Sequence, residues 1–432
     1  MAKAGRVRKV FKWFFIGVGA LLAPTLAFFA VFIYLFLPII PGPKFQKPKD
    51  SAEAQLQDIT YFSTFPKYDK SFSGNDRRVR FDGRIAELKK LAGGMSAGEF
   101  ELAVARAVAL ADNTHTNVSP ETRSRRLNRL PIRFAQFAEG LFVIHAAEEH
   151  ADLLGSRVIA FNDVPVEDAM ELLLDTFGGS EARARFYAPL TLNSPEIHNA
   201  LGISVSPQKV SVAFESISGK NVARTLPSLD PDSRRPTPSG RRLLEYVSAA
   251  EGWRALMAGQ TPPAYLRNPD HPFDVQQVQD GIYVRIDFNY SVEGWPLKSF
   301  LADTIETTQE TSPEFAVVDL RYNDGGTNTL EGFARDVLRL VSGPVYVIVS
   351  PGTFSYGIAA AVMFRYHGGD RVVITGQPVG DRLRFWANGG TTFRLPNSGI
   401  TLRAWSSLED YADYRAGRDT VMDTILRRHN AN

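Results

Sequence analysis

Hydrophobic and polar positions change rhythm several times along this chain. From Trp13 to Pro43 no charged residue occurs. Roughly 20 apolar residues cross a bilayer, so Trp13 to Ile40 is long enough to span one with some tilt. Residues 41–75 follow with Pro41, Pro43, Pro48 and scattered Lys and Asp. They show no sustained period and are expected to form a tether. From Arg80 to Leu110 the apolar residues Ile85, Leu88, Leu91, Leu102, Val104, Ala107 and Val108 recur every three or four positions, the signature of helix. Short β-branched and aromatic runs then take over at 140–146 and 155–166, broken by Asn-Asp and Pro. Residues 175–274 carry little periodic signal, and the Pro/Ser/Arg-rich stretch 226–242 reads as a loop or domain boundary.

The last third is the most regular. Strand-like runs at 281–289, 315–321, 344–350 and 371–376 alternate with amphipathic stretches from Trp295 to Glu310, Leu330 to Val341 and Tyr356 to Tyr366. Strand and helix alternating at this spacing predict βαβ units around a mostly parallel sheet. At 432 residues the chain calls for two or three domains. The expected division is a basic tail at 1–12, an anchor at 13–40, a tether at 41–75, a helical segment at 76–129, a cap region at 130–250 and an α/β core at 275–432.

Charge narrows the partners. The 49 basic and 47 acidic residues nearly cancel, leaving +2, and no basic stripe lies beyond the N-terminus. That speaks against nucleic acid. Lys3, Arg6, Arg8, Lys9 and Lys12 precede the apolar span, which by the positive-inside rule holds the N-terminus in the cytoplasm. A secretory signal has a shorter apolar region ending in small residues; this one ends in Phe, Ile and Leu. The expectation is an uncleaved single-pass anchor in the cell inner membrane, with the remainder periplasmic or extracellular. The chain has no cysteine, which excludes thiolate chemistry and cysteine metal sites. HExxH, a Walker loop and a strand-linked GxGxxG are missing too. No metal and no cofactor are expected.

Two segments could carry chemistry. In PVYVIVSPGTFSYGIAAAVMF an apolar strand ends, Pro351 and Gly352 turn the chain, and Ser355 opens an Ala-rich helix. A hydroxyl at such a junction sits beside the N–H groups and positive dipole end of the helix, where an oxyanion could form. A serine that merely caps the helix reads the same way. In FAVVDLRYNDGGTN a strand ends at Asp319-Leu320-Arg321 and runs into Asn323-Asp324-Gly325-Gly326. Two glycines let the backbone approach a ligand closely, and a plain tight turn is the alternative.

Together these segments resemble the tail-specific (C-terminal processing) peptidase family. DLRYNDGG, TFSYG, RVVITGQPVG and LPNSGITL occur in the family's order, followed by GRDTVMDTIL near the end. The resemblance covers 281–432 well and 100–170 in part. It implies a crotonase/ClpP-like ββα spiral core and a serine peptidase acting on polypeptide. One branch of the family pairs serine with a downstream lysine, but no lysine follows Lys298. The tricorn-core and retinoid-binding-protein-like branch takes a histidine from a DxHT motif and a late carboxylate. LADNTHTNV supplies Asp112, His115 and Thr116. By that resemblance His115 is the general base for Ser355, with Glu409 first and Asp410 second as the carboxylate. The oxyanion donors would be the backbone N–H groups of Tyr356 and of Gly325 or Gly326. Residues 140–166 resemble a PDZ-like module or cap. A homo-oligomer is compatible with the sequence. The rival functions are an inactive relative that binds a peptide or apolar ligand, and an esterase-type hydrolase.

Overall fold

A computed structural model describes residues 42–120, 122–231, 244, 252–382 and 391–404. The expected anchor at 13–40 lies outside the described residues. Among those described, no helix is long and apolar enough to cross a membrane.

Residues 51–72 correct the expectation of a tether. Helix α1 (Ser51–Phe62) is started by Asp50, whose carboxylate accepts from the Glu53 N–H at 2.8 Å. It buries Ile59 and Phe62, and short 3₁₀ turns bury Phe65 and Phe72. Helix α2 (Asn75–Leu91) buries Phe81, Ile85 and Leu88 at three- and four-residue intervals. Leu91, which fits the same stripe on paper, is 57% exposed; it ends the helix beyond the rim of this core. Helix α3 (Ala97–Ala109) begins with a Ser96–Glu99 capping box. The partner that makes the tether fold comes from far away. Asp58 accepts from the N–H groups of Asn397 and Ser398 at 2.8 Å each, and Phe65 meets Phe393 at 5.4 Å between ring centroids. Phe81 of α2 and the ribbon more than 300 residues away together turn this stretch into core, so local periodicity misses it.

The middle of the chain forms an antiparallel sheet in the order β1 (Ile132–Phe137), β2 (Gly140–Ala147), β3 (Arg157–Phe161), β5 and β6. The short strand β4 (Val164–Pro165) pairs with β3 and leads into helices α4 (Val166–Leu174), α5 (Glu181–Thr191) and α6 (Pro195–Ala200). Strands β5 (Lys209–Glu215) and β6 (Asn221–Pro227) extend the sheet, and β7 (Trp253–Ala255) joins β2. Phe134, Phe161, Val212 and Phe214 from the strands, with Met170, Leu173 and Leu192 from α4 and the end of α5, build its core.

The second sheet runs β12–β11–β10–β9–β8. Strand β8 (Phe273–Val278) is antiparallel to β9 (Gly281–Ile286). Helix α7 (Leu297–Thr311), strand β10 (Phe315–Asp319), helix α8 (Leu330–Leu340), strand β11 (Val345–Val349), helix α9 (Tyr356–Gly368) and strand β12 (Val372–Gly376) follow. Each of β10, β11 and β12 lies parallel to the strand before it. Helix α8 buries Leu330, Phe333, Ala334, Val337 and Leu338, a single face at helical spacing. Parallel strands bring their carboxyl ends to one edge, the usual place for a ligand. A two-stranded ribbon, β13 (Thr391–Arg394) and β14 (Thr401–Ala404), closes onto the helical segment.

Phe62→Ala should cost about 3–5 kcal/mol of stability, whereas Leu91→Ala should stay within about 0.5 kcal/mol. Denaturant unfolding of the two variants measures the difference, and equal effects would contradict a folded 51–72 segment.

Candidate active site

The turn after β11 is fastened to the end of β10 by hydroxyl groups. Thr353 Oγ1 donates to the Leu320 carbonyl at 2.7 Å and accepts from the Ser350 N–H at 2.9 Å. Ser350 Oγ donates to the Arg321 carbonyl. A Cβ at Gly352 would lie 2.4 Å from that same carbonyl oxygen, so no larger residue fits. The chain then enters Ser355 at φ 52°, ψ −131°. A non-glycine residue held at positive φ is strained, and such strain persists only where neighbours over-determine it. Ser355 occupies the N-cap position of α9, yet its side chain makes no capping hydrogen bond. The capping explanation for this serine therefore loses its support.

The glycine turn packs directly on it. Asn323 is buried; its Nδ2 donates to the Ile286 carbonyl at 2.9 Å and to Asn289 Oδ1 at 2.8 Å. Asn289 Nδ2 in turn donates to the Tyr356 carbonyl at 2.9 Å, and the Phe354 N–H donates to the Asn323 carbonyl at 2.9 Å. Gly325, at φ 86°, comes so close that a Cβ there would sit 2.6 Å from the Ser355 Cβ and 2.9 Å from the Tyr356 nitrogen. Its N–H donates to Asn323 Oδ1 at 2.9 Å. Gly326 follows at φ 136°.

His115 arrives on the loop after α3. Thr116 Oγ1 donates to Asp69 Oδ2 at 2.8 Å, Asn117 Nδ2 to the Thr114 carbonyl at 3.0 Å, and the Ser119 N–H to the Thr401 carbonyl at 3.2 Å. The imidazole is 2% exposed and lies on the Phe354 ring, 4.1 Å between centroids at 30°. Phe354 immediately precedes Ser355. On the other side, Nδ1 lies 3.1 Å from Asp381 Oδ2. A carboxylate there keeps the proton on Nδ1 and leaves Nε2 as the basic nitrogen. Burial pushes the His115 pKa below its ordinary value; the bond to Asp381 opposes this, and the Arg183 charge reinforces it. The balance favours the uncharged ring. Asp112 does not touch the histidine. It receives Arg77 at 3.2 Å and Arg382 at 2.8 Å, and so fixes the loop to the segment carrying Asp381.

Arg183, on α5, is the remaining contributor. It is 7% exposed and donates to the Pro351 carbonyl at 3.1 Å, the Gly352 carbonyl at 3.4 Å and Asp324 Oδ1 at 2.9 Å. Its guanidinium stands 4.1 Å from the Phe354 ring centroid. Thr114, His115, Phe177, Tyr187, Asp324 and Phe354 line a cleft beside it, open to solvent.

Of the residues singled out from sequence, Gly325 packs on Ser355 and Tyr356 with Gly326 next to it, and His115 meets Phe354, the residue before Ser355. Glu409 and Asp410 lie outside the described residues. Within them the carboxylate on His115 is Asp381, which the motif comparison passed over. Its signal was a charged residue just beyond the Gly/Pro-rich end of the last parallel strand. Arg183 had none, because 175–274 shows no periodic pattern. The other described histidines sit in different surroundings; His198 Nε2, for instance, bonds the Leu192 carbonyl at 2.6 Å, and burial drives its pKa down to about 4.

No protein-family model matches the chain, and no curated protein matches it in sequence. Among solved structures it is similar to mature CPAF, with a TM-score of 0.52 at 13% identity over 82% of this chain and 89% of that one. CPAF complexed with lactacystin gives 0.51 at 13% identity, over 82% and 90%. The photosystem II D1 C-terminal processing protease aligns over 82% and 87% at 12% identity, but its TM-score of 0.32 is too low to bear on the argument. The CPAF likeness establishes a shared mixed α/β fold across most of both chains.

Gly325→Ala forces a Cβ into Ser355 at a φ that alanine resists. It should lower thermal stability, with a strain cost of about 1–3 kcal/mol, and abolish any reactivity of Ser355 towards a fluorophosphonate probe. Gly83→Ala, where nothing lies within 4 Å of the added atom, is the control.

Proposed function

We propose that this chain is a serine peptidase in which Ser355 is the nucleophile and His115 the general base. The observation that carries the reading is the buried imidazole lying against Phe354 with its Nδ1 on Asp381, while the residue after Phe354 is a serine held at positive φ. His115 Nε2 takes the Ser355 proton as Oγ attacks a peptide carbonyl, then returns it to the leaving amine. Water attacks the acyl-enzyme by the same route. Asp381 holds the ring in the required tautomer. Glu409 and Asp410 remain candidates for a further carboxylate. Because the Gly325 amide is engaged by Asn323 Oδ1, the oxyanion donors are assigned to the N–H groups of Tyr356 and Gly326, each worth on the order of 3 kcal/mol.

The CPAF-like fold supports the peptidase class, and a polypeptide is the substrate proposed. The run β9, β10, β11, β12, each parallel to its predecessor with a helix between, supports the crotonase/ClpP-like spiral core. The antiparallel sheet at 132–255 is the proposed PDZ-like or cap region. The basic residues before Trp13 and the uncharged run after it support an inner-membrane anchor that holds the catalytic region on the far side. Deleting residues 1–40 should move the protein from the membrane to the soluble fraction; a protein still pelleting with membranes would contradict the anchor.

Fluorophosphonate labelling tests the chemistry, since only an activated serine reacts. Wild type should label, and Ser355→Ala and His115→Ala should not. Labelling of Ser355→Ala would refute the nucleophile. Asp381→Asn should slow the reaction by about 10⁴-fold, the size of effect seen when a triad carboxylate becomes an amide. The base works only when neutral, so the rate rises as pH climbs through the His115 pKa. Because burial lowers that pKa, the midpoint should fall below about 6.5, the ordinary histidine value. A midpoint well above it would exclude His115 as the base.

A further inference from the structure

We propose that Arg183 is the positioning residue that holds the nucleophile turn, the glycine turn and the Asp381 segment as one rigid unit. Through it, the antiparallel-sheet region controls whether the site is assembled. The inference rests on the serine-peptidase reading and adds to it a dependence on a part of the chain that supplies none of the reacting groups.

Arg183 projects from α5, which belongs to the antiparallel-sheet region by its packing: Ala188 and, just past its end, Leu192 lie in that core. Its guanidinium leaves that core and enters the other half of the molecule. There it meets three separate pieces. The Pro351 and Gly352 carbonyls belong to the turn that ends in Ser355. Asp324 precedes Gly325. Gly380, next to Asp381, packs so tightly that a Cβ there would lie 3.0 Å from Arg183 Cδ and 2.2 Å from the Pro351 carbonyl oxygen. The Phe354 ring, which carries His115, receives the face of the same cation.

A nearly buried cation requires partners on every side. Arginine fits because its planar fork presents five donors at fixed angles, and lysine offers a single charged point. Each acceptor used here lies within four residues of Ser355 in sequence or next to a glycine that abuts it. Misplacing reacting groups by about 1 Å costs about 10²-fold in rate, so a bridge across all of these pieces has a direct catalytic consequence. The charge also acts on His115, which is faced by Asp381 beyond β12, by Asp324 beyond β10 and by Arg183 on α5. The two carboxylates favour the imidazolium and the guanidinium opposes it.

The test compares Arg183→Gln and Arg183→Lys in the full chain by hydrogen exchange and by the pH dependence of fluorophosphonate labelling. In Arg183→Gln the amides of 323–326 and 351–356 should lose protection about tenfold or more, while β2 and β5 keep theirs. Its labelling should slow by about 10²-fold, with the midpoint displaced to higher pH because a charge opposing the imidazolium is gone. Arg183→Lys should return the midpoint towards wild type without restoring amide protection. Wild-type protection and midpoint in Arg183→Gln would overturn the proposal, as would a uniform loss of protection that includes β2 and β5. Should wild type fail to label at Ser355, the peptidase reading falls, and the exchange pattern alone still decides whether Arg183 organises the two turns.

Discussion

The contact between the His115 imidazole and the Phe354 ring, with the His115–Asp381 and Asp112–Arg382 pairs beside it, joins parts of the chain far apart in sequence. His115 rides on a loop secured to the helical N-terminal module and to the β13–β14 ribbon. Phe354 ends a turn secured to the parallel sheet. Each partner is tied to a hydrophobic core of its own, so the placing of His115 beside the Ser355 turn is set by how those cores dock and not by local flexibility. A flat aromatic surface suits this junction, because stacking tolerates small sliding motions while keeping the ring plane oriented. Asp381 then selects one edge of the imidazole, fixing the rotation that stacking alone leaves free.

Strain and compensation explain the density of polar bonds around Ser355. The backbone there adopts a conformation that a side chain disfavours, and the surrounding turn absorbs that cost through many small constraints. Thr353, Ser350, Asn323 and Asn289 each bridge elements distant in sequence, with donors and acceptors matched inside a buried site. Gly325 and Gly352 are required for space, since neighbouring backbone atoms already occupy the volume a methyl group would take. Burial disfavours the charged form of His115, against the pull of the Asp381 carboxylate.

The legible parts of the sequence were those encoded over short distances. The alternation of strand and helix from 281 to 376 is written in periodicity, because β9 and β10 are buried apolar runs and each helix buries one face. The junction before α9 is written in Pro351, Gly352 and Ser355, and the turn after β10 in two glycines. The α1 segment was not legible, since its aromatic residues lack a regular period and its partners lie on α2, on β13 and in the β13–β14 turn. Arg183 was invisible, and Asp381 only faintly marked, for a related reason. A lone charged residue has the same local appearance whether it faces water or a buried imidazole.

Sequence by itself therefore determined the parallel core, the apolar N-terminal run with its basic flank, and the types of residue able to do acyl-transfer chemistry. Tertiary structure decided which of them meet: the ring beside Phe354, the carboxylate on its Nδ1, and a cation drawn from the opposite sheet. The physical reason is range. Backbone propensity and hydrophobic periodicity act over a few residues and leave a pattern in the chain, whereas desolvated polar contacts act across space and leave none.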